Sequence, residues 1–198
     1  MVRANKNPLM NYEIEYKYLI KELPFDKESQ NIKKKYIEQI YFKTSAEKNE
    51  FIKKKVNLDS IENITTFRVR KIIENNLTYY ILTLKTTGQL QREEYEAFLS
   101  EYEYRYLSEE IVTVIIKNRY IEDVIYNDKT YTFEFDEYLN LNIDLLTCEV
   151  EVDSLDKRLK EDIEHILRDV YGLDYEDVTN EKKYKNKYLT ETFGTKPI

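Results

Sequence analysis

Eight stretches of this chain alternate charged and apolar residues with a period of two, and that pattern constrains the fold more than any other feature. Alternation at a period of two marks β-strands, whose successive side chains point to opposite faces. The stretches read as strands at about 11–20, 33–43, 64–74, 77–86, 90–97, 115–126, 129–138 and 146–153. Asn75-Asn76 and Asn127-Asp128 sit between consecutive strands and suit tight hairpin turns, because Asn and Asp tolerate positive φ. Thr87-Gly88-Gln89 supplies a third turn. Connections this short make neighbouring strands antiparallel. Helical spacing is rarer. Leu159, Ile163, Ile166, Leu167 and Val170 recur at three and four, which predicts a helix over 155–170 with Ser154 as its cap and Gly172 beyond its end. Further helices are expected over 97–107, around 47–55 and shortly after Thr179.

Composition narrows the class. The chain has 198 residues, only 3 Gly and 3 Pro, and 35% charged residues, which suits one globular domain over 10–198 with residues 1–9 as a loose extension. A net charge of −7 disfavours nonspecific binding to nucleic acid or to an anionic membrane. No stretch approaches the ~20 apolar residues of a membrane span, and the first ten residues lack the apolar core of a signal peptide. With a single cysteine, Cys148, no intramolecular disulfide can form. The expectation is a cytoplasmic protein, monomeric or homodimeric, with no nucleic-acid or membrane partner.

The charges themselves are sorted. Glu13, Glu15 and Lys17 share one face of the first strand. Arg68 and Arg70 share a face of the third, Lys85 ends the fourth, and Arg92, Glu94 and Glu96 lie together on the fifth. Lys117 and Arg119 mark the sixth, Glu134 and Asp136 the seventh, Glu149 and Glu151 the eighth. If these faces look outward, the aromatic and aliphatic faces fill a barrel interior. If they look inward, the sheet encloses a polar tunnel and helices must cover its apolar outside. Cations dominate the third to sixth strands and carboxylates the first, seventh and eighth. That segregation suits a polyanion against a basic wall and a hard metal ion against an acidic one.

In this order the residues resemble the CYTH, or triphosphate tunnel metalloenzyme, superfamily. Glu13-x-Glu15-x-Lys17 is similar to its N-terminal Glu-x-Glu-x-Lys pentad. Phe67-Arg68-Val69-Arg70 resembles its Arg-x-Arg strand, Lys85 its following strand-end lysine, and Arg92, Glu94 and Glu96 its Arg-x-Glu-x-Glu. Lys117-Asn118-Arg119-Tyr120 looks like the Lys-x-Arg-Tyr of the bacterial triphosphatase branch. Asp136, Glu149 and Glu151 resemble its late acidic strands, and Lys183-Tyr184-Lys185-Asn186 its terminal motif. The resemblance spans 11–189. Departures are the long excursion at 44–63 and Lys183 where Arg is frequent.

The resemblance implies a mainly β (α+β) fold, an eight-stranded antiparallel β-barrel forming a charged tunnel with helices packed outside. It implies a divalent-metal-dependent triphosphatase acting on tripolyphosphate or a similar small triphosphate. Arg68, Arg70, Arg92, Arg119, Lys17, Lys85, Lys117 and Lys183 would bind phosphate. Glu13, Glu15, Asp136, Glu149 and Glu151 would hold Mg²⁺ or Mn²⁺. Glu13, Glu15, Lys17, Lys85, Glu149 and Glu151 would carry catalysis. The alternatives within the resemblance are a class IV adenylyl cyclase, a thiamine or nucleoside triphosphatase, and a noncatalytic triphosphate sensor. Other chemistries lack parts: His165 is the sole histidine, Cys148 falls on the apolar parity, and three glycines cannot build a phosphate loop. The Lys33-Lys34-Lys35 and Lys53-Lys54-Lys55 runs read as solvated faces.

Overall fold

A computed structural model describes residues 9–29, 32–88, 91–152, 154 and 156–196, with the side chains of residues 9–13 and Gln91 outside the description. The expected N-terminal extension and the end of the Thr87-Gly88-Gln89 turn therefore lie outside the described residues. The long strands are β1 (Leu9–Ile20), β2 (Lys33–Phe42), β3 (Ile64–Glu74), β4 (Leu77–Thr86), β5 (Gln91–Leu99), β6 (Ile111–Tyr126), β7 (Lys129–Tyr138) and β8 (Leu146–Val152). Both predicted hairpin turns form with positive φ at each central residue: Asn75 at 49° and Asn76 at 63°, Asn127 at 49° and Asp128 at 60°. Left-handed turns of this kind match the twist of the strands they join.

The pairings run β5-β4-β3-β2-β6-β7-β8-β1, all antiparallel, and β1 also pairs with β5, so the ladder returns on itself. The first half of β1 faces β5 and its second half faces β8, with Ile14 in register on both sides. A ninth strand, β9 (Tyr175–Asp177), adds to the far end of β1.

With the charged parity turned inward, the apolar parity must be covered from outside. Helix α3 (Lys157–His165) covers β1, β7 and β8: Leu159, Ile163, Ile166 and Leu167 pack on Tyr16, Tyr18, Phe133, Phe135, Cys148 and Val150, all buried. Helices α1 (Ala46–Val56) and α2 (Glu101–Leu107) cover the opposite part, where Ile52, Val56, Tyr104 and Leu107 meet Ile40, Phe42, Val69, Leu82 and Leu84. Fully burying an aliphatic or aromatic side chain of this size stabilises by roughly 1.5–3 kcal/mol, so these covers hold the ring together. A short helix, α4 (Leu189–Phe193), closes one end by burying Leu189 among Ile115, Tyr138, Leu141 and Leu145.

Several boundaries differ from the sequence reading. Asp156, not Ser154, caps α3, its carboxylate accepting from the Arg158 amide at 2.9 Å. The helix then widens into a π turn over Ile166–Val170 before Gly172 ends it at φ 66°. Strand β5 continues to Leu99, because Leu99 still buries outward, and α2 begins only after Ser100 and Glu103 form a reciprocal capping box. The segment after Thr179 makes two 3₁₀ turns, Lys182–Tyr184 and Asn186–Tyr188, before α4.

Candidate active site

The inward faces converge on one cavity of about 440 Å³. Its walls carry Glu15 and Lys17 from β1, Arg68 and Arg70 from β3, Lys85 from β4, Arg92 from β5, Lys117 and Arg119 from β6, and Glu149 and Glu151 from β8. Among the described residues nine cationic and six carboxylate side chains line it, so cations outnumber carboxylates inside an acidic protein.

Carboxylates on other strands set several of these cations. Lys85 meets Glu94 at 2.8 Å and Arg68 meets it at 3.5 Å, while Arg70 pairs with Glu96 and reaches Thr83 Oγ1 at 3.4 Å. Arg119 donates through Nε to Asp136 Oδ1 at 2.7 Å and through Nη2 to Oδ2 at 2.6 Å, and it also bridges Glu134 and Glu149. Lys17 meets Glu149 at 2.8 Å.

These settings shift protonation. Burial would raise the Glu149 carboxyl, but Lys17, Lys117 and Arg119 outweigh it and hold the group well below its usual range. Burial would lower Arg119, but Asp136, Glu134 and Glu149 drive it well up. Lys17 is raised, its burial overcome chiefly by Glu149. Lys117 and Arg70 move the other way: burial, then Arg119 beside the first and Arg68 beside the second, lower both. Arg70 also keeps its buried Nε without a hydrogen-bond partner among the described residues.

The geometry sets two expected site residues apart from the others. Lys183 does not line the cavity; it is exposed, pairs with Glu181 at 3.0 Å and lies over the Tyr184 ring. Lys185 and Lys187 point in instead. Asp136 is fully buried behind the wall, with both oxygens held by Lys117 and Arg119. Glu134, two residues earlier on the same face, reaches the cavity. Glu13 stands opposite Arg92 in the β1–β5 ladder, and its side chain lies outside the described residues.

Sequence reasoning missed other lining groups. Gln39 and Tyr41 contribute from β2, hydrogen-bonded to each other at 3.0 Å; the polar Gln39 on the same parity as Lys33 and Lys35 was the available signal. Glu94, Glu96 and Glu134 were on the right faces without being assigned a role. Thr179 comes from the irregular C-terminal segment, whose phase no period reveals, and so does Asn186, which the terminal motif contains but which was given no role.

For a metal, the donors are all carboxylate oxygens, which suits a hard divalent ion. Glu15 and Glu151 are direct cross-strand partners on the inward face, an arrangement of like charges that a cation relieves. Among the described residues no three carboxylate, imidazole or thiol groups form a ready-made cluster.

A ring of antiparallel strands around a cation-rich, carboxylate-trimmed cavity is a receptor for a small polyanion. The chain belongs to the CYTH domain family, whose model matches residues 11–184. Solved structures share the fold. The inorganic triphosphatase NE1496 aligns with a TM-score of 0.50 and 23% identity, over 89% of this chain and 93% of its own. The protein HpAC1 from Hippeastrum, described as an adenylyl cyclase candidate with a dominant triphosphatase activity, gives 0.56 and 16% over 90% and 94%. PH1819 from Pyrococcus horikoshii OT3 gives 0.53 and 21% over 83% and 93%. No curated protein matches the sequence. Among the described residues no helix is long and apolar enough to cross a membrane.

Proposed function

We propose that this protein is a divalent-metal-dependent triphosphatase that hydrolyses the terminal phosphoanhydride of tripolyphosphate or a similarly small triphosphate. The observation that carries this reading is the excess of cations over carboxylates inside one cavity of an acidic chain. The names of two fold relatives, an inorganic triphosphatase and a protein with dominant triphosphatase activity, lean the same way.

Arg68, Arg70 and Arg92 offer forked donors to phosphate oxygens, with the unmatched Arg70 Nε as a ready donor. Lys17, Lys85 and Lys185 add point charges. Glu15 and Glu151, with Glu13 two residues before Glu15, would hold Mg²⁺ or Mn²⁺. The bound ion supplies charge neutralisation at the phosphoryl oxygens. A β1 or β8 glutamate takes the proton of the attacking water. Water adds in line at the terminal phosphorus, the bridging P–O bond breaks, and orthophosphate and pyrophosphate leave.

The test is a product assay. Tripolyphosphate, ATP and thiamine triphosphate are each incubated with Mg²⁺ or Mn²⁺, and orthophosphate, pyrophosphate and cyclic AMP are scored separately. Tripolyphosphate is expected to show the highest kcat/KM, since the cavity's many cations concentrate binding on the polyphosphate. Excess chelator should abolish turnover, and Glu151→Gln should lower it roughly 10²-fold or more. Cyclic AMP from ATP would establish the cyclase reading instead, and binding without any product would establish the sensor.

A further inference from the structure

The pentad lysine is held by Tyr138, which no motif of the sequence singles out, and by Asn186, which ends the terminal motif but was given no role. Lys17 is buried, and an ammonium has three hydrogens to donate. Here they meet Glu149 Oε1 at 2.8 Å, the Tyr138 hydroxyl at 3.1 Å and Asn186 Oδ1 at 3.4 Å. Tyr138 closes the triangle by donating to the same Asn186 oxygen at 2.6 Å. The direction is forced: Lys17 has no lone pair, so the Tyr138 oxygen accepts from it and sends its own proton to Asn186. The Tyr138 ring adds a second hold, with the Lys17 and Lys117 nitrogens each 5.7 Å from its centre. Tyr138 is buried at the end of β7, whereas Asn186 lines the cavity from the C-terminal segment. That segment is fastened to the same lysine's backbone, through Thr179 Oγ1 at 3.0 Å and the Val178 amide at 2.9 Å.

We propose that Tyr138 and Asn186 are positioning residues for Lys17: together they fix its ammonium at the cavity wall, and Asn186 is the partner it releases when a phosphate oxygen arrives. Three features single out Asn186 for exchange. It makes the longest of the three bonds, it is uncharged where Glu149 is charged, and it faces the cavity where Tyr138 does not. A phosphate oxygen is the stronger acceptor and takes its place. Tyr138 then keeps its 2.6 Å bond to Asn186, so the C-terminal segment stays docked while the lysine turns to substrate. The kinetic consequence rests on the triphosphatase reading; the positioning itself does not.

The experiment uses the full chain labelled with ¹⁵N-lysine, the Lys17 ammonium signal being assigned by its loss in Lys17→Arg. In the wild type that signal should exchange with water far more slowly than those of surface lysines. In Tyr138→Phe, which keeps the ring and loses only the hydroxyl, and in Asn186→Ala, exchange should quicken severalfold with little change in melting temperature. On tripolyphosphate, Tyr138→Phe should lower kcat about tenfold or more with KM nearly unchanged, as expected when a reacting contact is misplaced. A Lys17 ammonium that exchanges like a surface lysine, or that is indifferent to both substitutions, overturns the proposal. So does full kcat in Tyr138→Phe. If Tyr138→Phe fails to fold, Asn186→Ala carries the same readouts. A signal that responds in a protein inert toward tripolyphosphate sinks the triphosphatase reading and leaves the positioning role standing.

Discussion

Arg70 and Arg119 line the same cavity from the two strands that flank β2, yet their surroundings give them different work. Arg119 is enclosed by Asp136, Glu134 and Glu149, with both faces of its fork occupied and its charge reinforced. Arg70 has one carboxylate, Glu96, a second arginine nearby, and a buried Nε with no acceptor among the described residues. One cation is neutralised in place and ties β6, β7 and β8 together. The other keeps surplus positive potential directed at the cavity. A basic residue on an inward strand face can therefore be framework or receptor, and its counter-ions decide which.

The largest expected effect tests the framework half of that contrast. Arg119→Met leaves the fully buried Asp136 with Lys117 alone. Breaking a buried ion pair from one side costs about 3–5 kcal/mol, which for a domain of this size lowers the melting temperature by roughly 10 °C. Thermal unfolding followed by circular dichroism measures it. A variant that melts with the wild type would show that Arg119 is a ligand-facing residue like Arg70.

Arg70→Ala should give the reverse pattern, which is the next largest effect. Its loss removes a charged donor to phosphate, so kcat/KM for tripolyphosphate and for ATP should fall by similar factors of roughly 10². Melting should shift by no more than a few degrees, because Glu96 keeps its bond to Thr83 at 2.8 Å. A large loss of stability with little loss of activity would erase the distinction between the two arginines.

A third effect comes from the carboxylate that serves the framework cluster. The Glu149 pKa is depressed in the folded chain by Lys17, Lys117 and Arg119, against the opposing effect of burial. A depressed folded pKa stabilises above the unfolded value, near 4.3, and that contribution is lost as the pH falls toward the folded value. Stability should therefore decline below about pH 4, and Glu149→Gln should flatten the decline while lowering stability at neutral pH. An unchanged acid limb in the variant would remove Glu149 from the framework.

Much of this was legible in the chain. Period-two alternation reports strand faces directly, so it put the charges from Glu15 to Glu151 on shared faces, while the choice of inward over outward came from the resemblance. What alternation cannot report is depth. Glu134 and Asp136 share a face, but only packing shows that Asp136 lies behind the wall and Glu134 at it. Nor does it report phase where the backbone leaves the strand. The 3₁₀ turns around Lys183 have no long repeat, so the resemblance that put Lys183 in the terminal motif carried no information on which lysine there lines the cavity. Tyr138 looked like one more aromatic at a strand end, because its role depends on Lys17 and Asn186, far away in sequence.

The smallest expected effect separates the two lysines of the terminal motif. Lys183 is exposed, and its ion pair with Glu181 is a local contact screened by solvent, so Lys183→Ala should leave kcat/KM within about twofold. Lys185 lines the cavity two residues later, on the segment that also brings in Asn186. Its removal takes one point charge from the phosphate's surroundings, and KM for tripolyphosphate should rise roughly tenfold, the order expected of a lost charge-assisted contact. Raising the ionic strength should weaken substrate binding in wild type and in Lys183→Ala alike, and less steeply in Lys185→Ala, which has one cation fewer to screen. If Lys183→Ala proves the damaging change and Lys185→Ala the silent one, the C-terminal segment turns its other face to the cavity when substrate is bound. The division between receptor and framework would then extend to which strap residues face inward at each stage of turnover.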